Sequence, residues 1–388
     1  MLEVRSLGKD RGRGLVATAP IPAHSILAIV LPDISVLYSA FAGSRCACCY
    51  AAKPPSEDAQ GGGWFVCPTC DQFILCPECW AMLPANEATP KPKEDWIRSL
   101  SKPAGELYDA KRRWVRVSMA AHPLSCAWYN ELPAAVRAPG QDTDLLRFCL
   151  SYGARVGQVG DTALATSIAV LDPNTETQSA STAQFCNSFA HKIVRTFSSA
   201  SSHAAAVRSD AAEKGAEGST LASTTSSTPS SSSRYAVEAG HLRDVLLRVQ
   251  CNSLGFPFTS EETVGWSLQE TLCMVNHSCN PSLSIICAED STEREGILTY
   301  MMGNEKAREI QSSADPSEEG IVEKLHPLLR GCMALKALRN IAMGEELTLS
   351  YLDLEQLGDS VEERSRELSE RYRFLCVCSR CQQQRKTS

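Results

Sequence analysis

The 388-residue sequence has no apolar run near the roughly 20 residues that span a bilayer. The first residues, Met1-Leu2-Glu3-Val4-Arg5, carry no apolar signal-peptide core. Positive charge is not in excess: the formal net charge is −7, which argues against nucleic acid as the main partner. Catalytic signatures of the common hydrolases and nucleotide-binding enzymes are missing too. There is no Gly-x-Ser-x-Gly elbow, no phosphate-binding loop and no His-Glu-x2-His helix. No internal repeat is found. A soluble protein of the cytoplasm and/or nucleus, without a membrane partner, is expected, and a monomer is the default.

What the chain does have is cysteine, 18 residues of it. In a reducing compartment disulfides are disfavoured, so cysteines at short spacing read as metal ligands. Cys46-x2-Cys49, Cys67-x2-Cys70 and Cys76-x2-Cys79 are three such pairs. Each presents two thiolates about one tetrahedral edge apart, which suits zinc. Three pairs fall one short of two closed sites, and His122-x3-Cys126 offers the missing one. A cross-braced finger follows, with Cys46/Cys49/Cys76/Cys79 on one ion and Cys67/Cys70/His122/Cys126 on the other. The alternative leaves His122 a satisfied histidine and Cys126 a buried thiol. Cys48 reads as a bystander, and Cys149, Cys186, Cys251, Cys273, Cys287 and Cys332 as small buried hydrophobes.

Residues 15–37 read as short strands, with β-branched residues between Pro20/Pro22 turn signals. Helical spacing appears from Trp96 to about Met119, as one or two helices, over Asp144–Leu150 with Thr143 as a possible cap, and over Tyr235–Val249. Ile297–Tyr300 and Cys332–Leu335 look like strands. Ser360 and Glu363 form a capping-box pattern. The Ser/Ala/Thr-rich stretch 198–233 has too little apolar surface to fold and is expected to be disordered, and 303–320 is a second polar insert. The basic stretch containing Arg98, Lys102, Lys111, Arg112, Arg113 and Arg116 reads as a solvated helix face.

Three further motifs stand in order: Gly12-Arg13-Gly14, Asn276-His277-Ser278-Cys279, and Gly344-Glu345-Glu346 leading to Tyr351. With the terminal Cys376-x-Cys378-x2-Cys381, they resemble the SET-domain protein methyltransferases, and the interposed cysteines resemble the SET-and-MYND branch. The gap between Cys79 and His122 is longer than that family's finger has. The resemblance implies an α+β fold: a SET β-fold with knot-like C-terminal threading, split by a MYND-like finger and a helical insert, and closed by a zinc-binding post-SET segment. The corresponding division is 1–45 and 271–358 for the SET parts, 46–126 for the finger, 127–270 for the insert and 359–388 for the post-SET segment.

By the same resemblance the cofactor is S-adenosylmethionine, contacted by Gly12, Arg13, Gly14, Asn276, His277, Tyr351 and Phe374, with Phe374 on the adenine. Tyr351 would be the reacting-site hydroxyl and Tyr372 would line the lysine channel. Cys279 would complete a third zinc site with Cys376, Cys378 and Cys381, making three zinc ions. The implied partner is a protein presenting a lysine, with a further peptide partner at the finger. The competing reading is a catalytically silent scaffold that binds peptides. Only seven residues follow Cys381, so the helical C-terminal domain of longer relatives is expected to be missing and the cleft more open.

Overall fold

The computed structural model describes residues 2–8, 11–54, 63–83, 101–212, 235–256, 263–305, 307–308 and 325–387. Helices and small sheets are mixed throughout. Strand β1 (Leu2–Ser6) pairs antiparallel with β2 (Arg13–Ala17) across a turn in which Leu7 N donates to Gly12 O at 2.8 Å. The β-branched run Ile26–Val30 forms β3, and Ile34–Leu37 forms β4. Two two-residue strands, β5 (Phe65–Val66) and β6 (Ile74–Leu75), make a hairpin that ends at helix α1 (Pro77–Ala81).

Among the described residues, the segment after α1 forms one long helix, α2 (Lys102–Asn130). Ser101 caps it, accepting from Ala104 N at 3.2 Å, and Pro103 sits in its first turn, where no intrahelical donor is lost. Ala104, Leu107, Tyr108, Lys111, Trp114 and Val115 are buried at helical spacing, so the stretch that looked like a solvated face carries one buried lysine. The helix runs past Met119 and carries His122 and Cys126 one turn apart; residues 96–100 lie outside the described residues.

Lys111 has no exposed surface, and its ammonium donates to Pro327 O, Leu328 O and Arg330 O at 2.6, 3.0 and 2.7 Å. It pins the 325–330 segment to α2. Lys111→Met strands three carbonyls and is expected to destabilise the protein by about 3 kcal/mol or more in urea titrations, whereas a loss under about 1 kcal/mol would refute the pinning role.

Helix α3 (Gln141–Ala154) begins before Asp144, so Thr143 is not its cap. Gly140 occupies that position, and the Thr143 hydroxyl turns back to Ala138 O. A π-helical turn (Arg155–Val159) leads to α4 (Thr162–Ala169). Helix α5 spans Ala180–Ala212, so the stretch expected to lack structure from 198 begins within a helix, while 213–233 lie outside the described residues. Helix α6 (Ala239–Asn252) starts four residues later than its spacing suggests. Tyr235 belongs instead to the turn before it: its ring fills the space beside Gly153, and its hydroxyl donates to Cys149 O at 2.8 Å.

Strand β8 (Gly265–Leu268) lies between β4 and β7 (Leu254–Phe256). Strand β9 (Asn276–His277) is followed by β10 (Leu283–Cys287) and helix α7 (Arg294–Met302). The strand expected at Ile297–Tyr300 is therefore helical. Ile297, Leu298 and Met301 make a buried i, i+1, i+4 stripe over β3, and that packing overrides the β-branched composition. Residues 309–320 of the second polar insert lie outside the described residues. Strand β11 (Met333–Ala337) joins β10 to β3.

Strand β12 (Thr348–Leu349) then pairs in parallel with β9, setting Thr348 beside Asn276 and Leu349 beside His277. Helix α8 (Val361–Glu367) is capped by Ser360, whose hydroxyl accepts from Glu363 N at 3.2 Å. A π-turn (Leu368–Tyr372) and α9 (Ser379–Thr387) close the described chain. No described helix is long and apolar enough to cross a membrane.

Between β3 and β4, Asp33 accepts from Glu270 N at 2.7 Å. Burial pushes its carboxyl up to about 6, the Glu270 hydrogen bond only partly opposing this. The native state then holds a proton that the unfolded chain releases near its ordinary value of 3.8. Asp33 therefore costs stability progressively as pH rises from about 4 through 6. Asp33→Asn keeps an acceptor for Glu270 N and removes the ionisation. The variant is expected to gain on wild type across that window and to hold the gain above it; a difference independent of pH would refute the assignment.

Candidate active site and metal centres

Three groups of cysteine and histidine converge, each with its ligand atoms within 4.8 Å of one another: Cys46/Cys49/Cys76/Cys79, Cys67/Cys70/His122/Cys126 and Cys279/Cys376/Cys378/Cys381. All of these cysteines are free thiols. The sulfur separations, 3.4 Å for Cys49–Cys76, 3.8 Å for Cys67–Cys126 and 3.5 Å for Cys279–Cys381, exceed any disulfide bond. They lie near the edge of about 3.8 Å that a tetrahedron with zinc–sulfur bonds of about 2.3 Å requires. The donor sets fit zinc.

Local structure explains each cluster. Cys76 caps α1, so the first turn of that helix directs Cys79 N at the Cys76 sulfur, 3.5 Å away, while Cys76 N faces the Cys46 sulfur at 3.4 Å. In the second cluster, α2 delivers His122 beside the Cys70 sulfur at 3.6 Å, and the Phe73 ring stacks on the imidazole with centroids 4.0 Å apart. Burial, aided by the charge of Arg147, pushes the His122 pKa down to about 4, which keeps the ring in the neutral, ligating form. Cys48 is buried and stands outside all three groups.

The third cluster abuts a cleft of about 580 Å³ lined by Gly12, Arg13, Asn276, His277, Tyr351, Tyr372 and Phe374. Asn276 is its hinge: Nδ2 donates to Arg11 O, Arg13 O and Glu346 Oε1 at 3.1, 3.0 and 3.0 Å. Glu346 also pairs with Arg11 at 3.0 Å. Glu346 stands in the Gly-Glu-Glu motif, but its bond to Asn276 was not read from the sequence, and Arg11 was not singled out at all. Gly14 is glycine because of this junction: a Cβ there would stand 2.5 Å from Leu7 Cδ1 and 2.7 Å from Asn276 Nδ2. Gly12 serves the turn, with φ +61, and opens onto free space.

Both ring nitrogens of His277 are used internally. Nδ1 accepts from Tyr351 N at 3.0 Å, and Nε2 lies 3.3 Å from the Cys279 sulfur. The side chain thus has no nitrogen left for a ligand, and any cofactor contact by His277 falls to its main chain. Tyr351 donates its hydroxyl to Val275 O at 2.7 Å, and Tyr372 donates to Tyr351 O at 3.1 Å. The Tyr351 ring lies 5.1 Å from Tyr372 and 6.3 Å, edge-on, from Phe374. Burial holds the Tyr351 phenol well above its ordinary range, so it stays protonated.

A mixed fold whose cleft joins a Gly-x-Gly turn, an Asn-His strand and a half-buried tyrosine beside a cysteine cluster defines a class. The SET domain family model matches residues 12–352, and the chain belongs to that family. Within it, the chain is similar to human histone-lysine N-methyltransferases SMYD1 (30% identical over 141 residues) and SMYD3 (30% over 145 residues). A SET and MYND domain-containing protein of Dictyostelium discoideum is 23% identical over 139 residues. These stretches cover 36%, 37% and 36% of this chain but only 22%, 24% and 25% of the relatives' own length.

Proposed function

We propose that the protein is an S-adenosylmethionine-dependent protein-lysine N-methyltransferase with three zinc centres: a MYND-like finger holding two, and a post-SET segment holding the third. The observation that carries this reading is the cleft in which Asn276, Tyr351, Tyr372 and Phe374 meet beside Cys279, Cys376, Cys378 and Cys381. The cofactor, when bound, supplies an electrophilic methyl on sulfonium, and the chain's own residues orient and desolvate the reacting groups. Gly12 and Arg13 would hold its methionine end, Asn276 would offer Oδ1, His277 its main chain, and Phe374 a ring face for the adenine.

Tyr351 carries the reacting-site role. Its proton is committed to Val275 O, so the hydroxyl oxygen presents lone pairs to the cleft, where it can accept from a polarised C–H and from the amine. Tyr372 is tied to the Tyr351 backbone and would wall the lysine channel. The name of the human relatives supports a lysine substrate, on a histone or another protein. The finger's role as a peptide-binding surface, the threading of the C-terminal stretch, and residence in cytoplasm or nucleus belong to the same reading.

Two measurements test it. Calorimetry is expected to give one S-adenosylmethionine bound per chain, displaced by S-adenosylhomocysteine; no binding to the zinc-loaded protein would reject the assignment. Elemental analysis is expected to return three zinc ions per chain, and a count of one would remove the cross-braced finger.

A further inference from the structure

Arg364, on α8, has no exposed surface. Its Nη1 donates to Gly358 O at 3.2 Å, its Nη2 reaches Oε1 of Gln384 and stands 3.9 Å from the Cys381 sulfur, and its Nε has no partner. Among the described residues no carboxylate lies within ion-pair distance of it. A buried guanidinium without counter-charge is strongly disfavoured. The group it touches that can carry negative charge is the Cys279/Cys376/Cys378/Cys381 cluster, reached at Cys381, which as four thiolates around a divalent ion has a net charge of −2.

We infer that Arg364 is the built-in counter-cation of this third centre, a positioning residue that holds the metal in place. The inference rests on the zinc reading above. A parallel within the same chain supports it. The other four-cysteine centre also has a fully buried cation, Lys111, with three carbonyls but no carboxylate among its partners. The segment Lys111 holds leads straight into Gly331, where a Cβ would stand 3.1 Å from Cys49 Cα, so this cation fastens the chain packed on that centre. The cluster containing His122 has one thiolate fewer, and the arginine beside it, Arg147, has its own carboxylate, Asp144, 3.7 Å away.

Placement gives the interaction its consequence. α8 leads directly into the π-turn that ends at Tyr372, two residues before Phe374. Arg364 therefore joins the segment bearing the cleft's aromatics to the metal centre and to α9, through Gln384. A cation against the sulfurs draws electron density from them and lowers their reactivity toward electrophiles.

The test uses the full chain carrying Arg364→Lys or Arg364→Gln, with zinc release to a chelating dye followed after addition of a thiol-reactive electrophile. Lysine keeps the charge and loses the fork; glutamine keeps hydrogen bonding and loses the charge. The glutamine variant is expected to release one zinc of its three about 10- to 100-fold faster than wild type, with the lysine variant close to wild type. Equal release by both variants, or wild-type release from the glutamine variant, overturns the counter-cation role. Should the glutamine variant not fold, early loss of that zinc from the lysine variant overturns it and retention supports it. Wild-type protein without zinc in this cluster refutes instead the zinc reading on which the inference stands.

Discussion

Tyr351→Phe is expected to slow methyl transfer by about 10²- to 10⁴-fold while leaving the cofactor dissociation constant nearly unchanged. The ring is held by Tyr372, Phe374 and His277, all within 6.3 Å between centroids, and none of these contacts needs the hydroxyl. What phenylalanine removes is the oxygen whose lone pairs face the cleft, together with one hydrogen bond to Val275 O. The lost bond predicts a stability decrease of about 1–3 kcal/mol, measurable by denaturant titration and too small to unfold the protein. Single-turnover kinetics on a methyl-accepting protein substrate separate the two effects. Unchanged turnover with intact cofactor binding would remove Tyr351 from the chemistry.

A second large effect is expected from Cys378→Ser, which should cost one zinc of three, a marked fall in melting temperature and at least about tenfold in cofactor affinity. The cluster fastens the end of the chain to Cys279, two residues beyond His277, and His277 in turn accepts from Tyr351 N. Loosening it frees Phe374 and Tyr372 from the Asn276 strand at the same time. Cys67→Ser is the control: it empties a cluster whose members do not line the cleft, so one zinc should be lost with cofactor affinity retained. Equal losses of affinity in the two variants would show that zinc acts through general stability, and no loss in either would separate metal from cofactor altogether.

The parts of this site readable in the sequence are those whose geometry is local. A Cys-x2-Cys turn fixes its two sulfurs whatever surrounds it, and His122 and Cys126 lie one helical turn apart, so both announced themselves by spacing. The long gap before His122, unlike the usual finger, is bridged in part by a 29-residue helix whose apolar stripe was visible only piecemeal. Arg364, and the partner of Glu346 if not the residue itself, were silent because Cys381 and Asn276 are brought to them by helix packing and strand pairing rather than by spacing. Ile297–Tyr300 misled for a related reason: β-branched residues there pack as a helix because β3 offers them a surface at helical period. His277 was recognised as a member of the site, yet only the fold reveals that both of its ring nitrogens are engaged, with Tyr351 N and the Cys279 sulfur.

The central claim is that the cleft transfers a methyl group from S-adenosylmethionine to a protein lysine. Zinc-loaded protein incubated with methyl-labelled S-adenosylmethionine and a whole-cell protein extract, followed by mass-spectrometric identification of labelled residues, tests it directly. Label on lysine side chains, lost with Tyr351→Phe, is the predicted result. A zinc-loaded, cofactor-binding protein that labels nothing above background, or labels residues other than lysine, would contradict it.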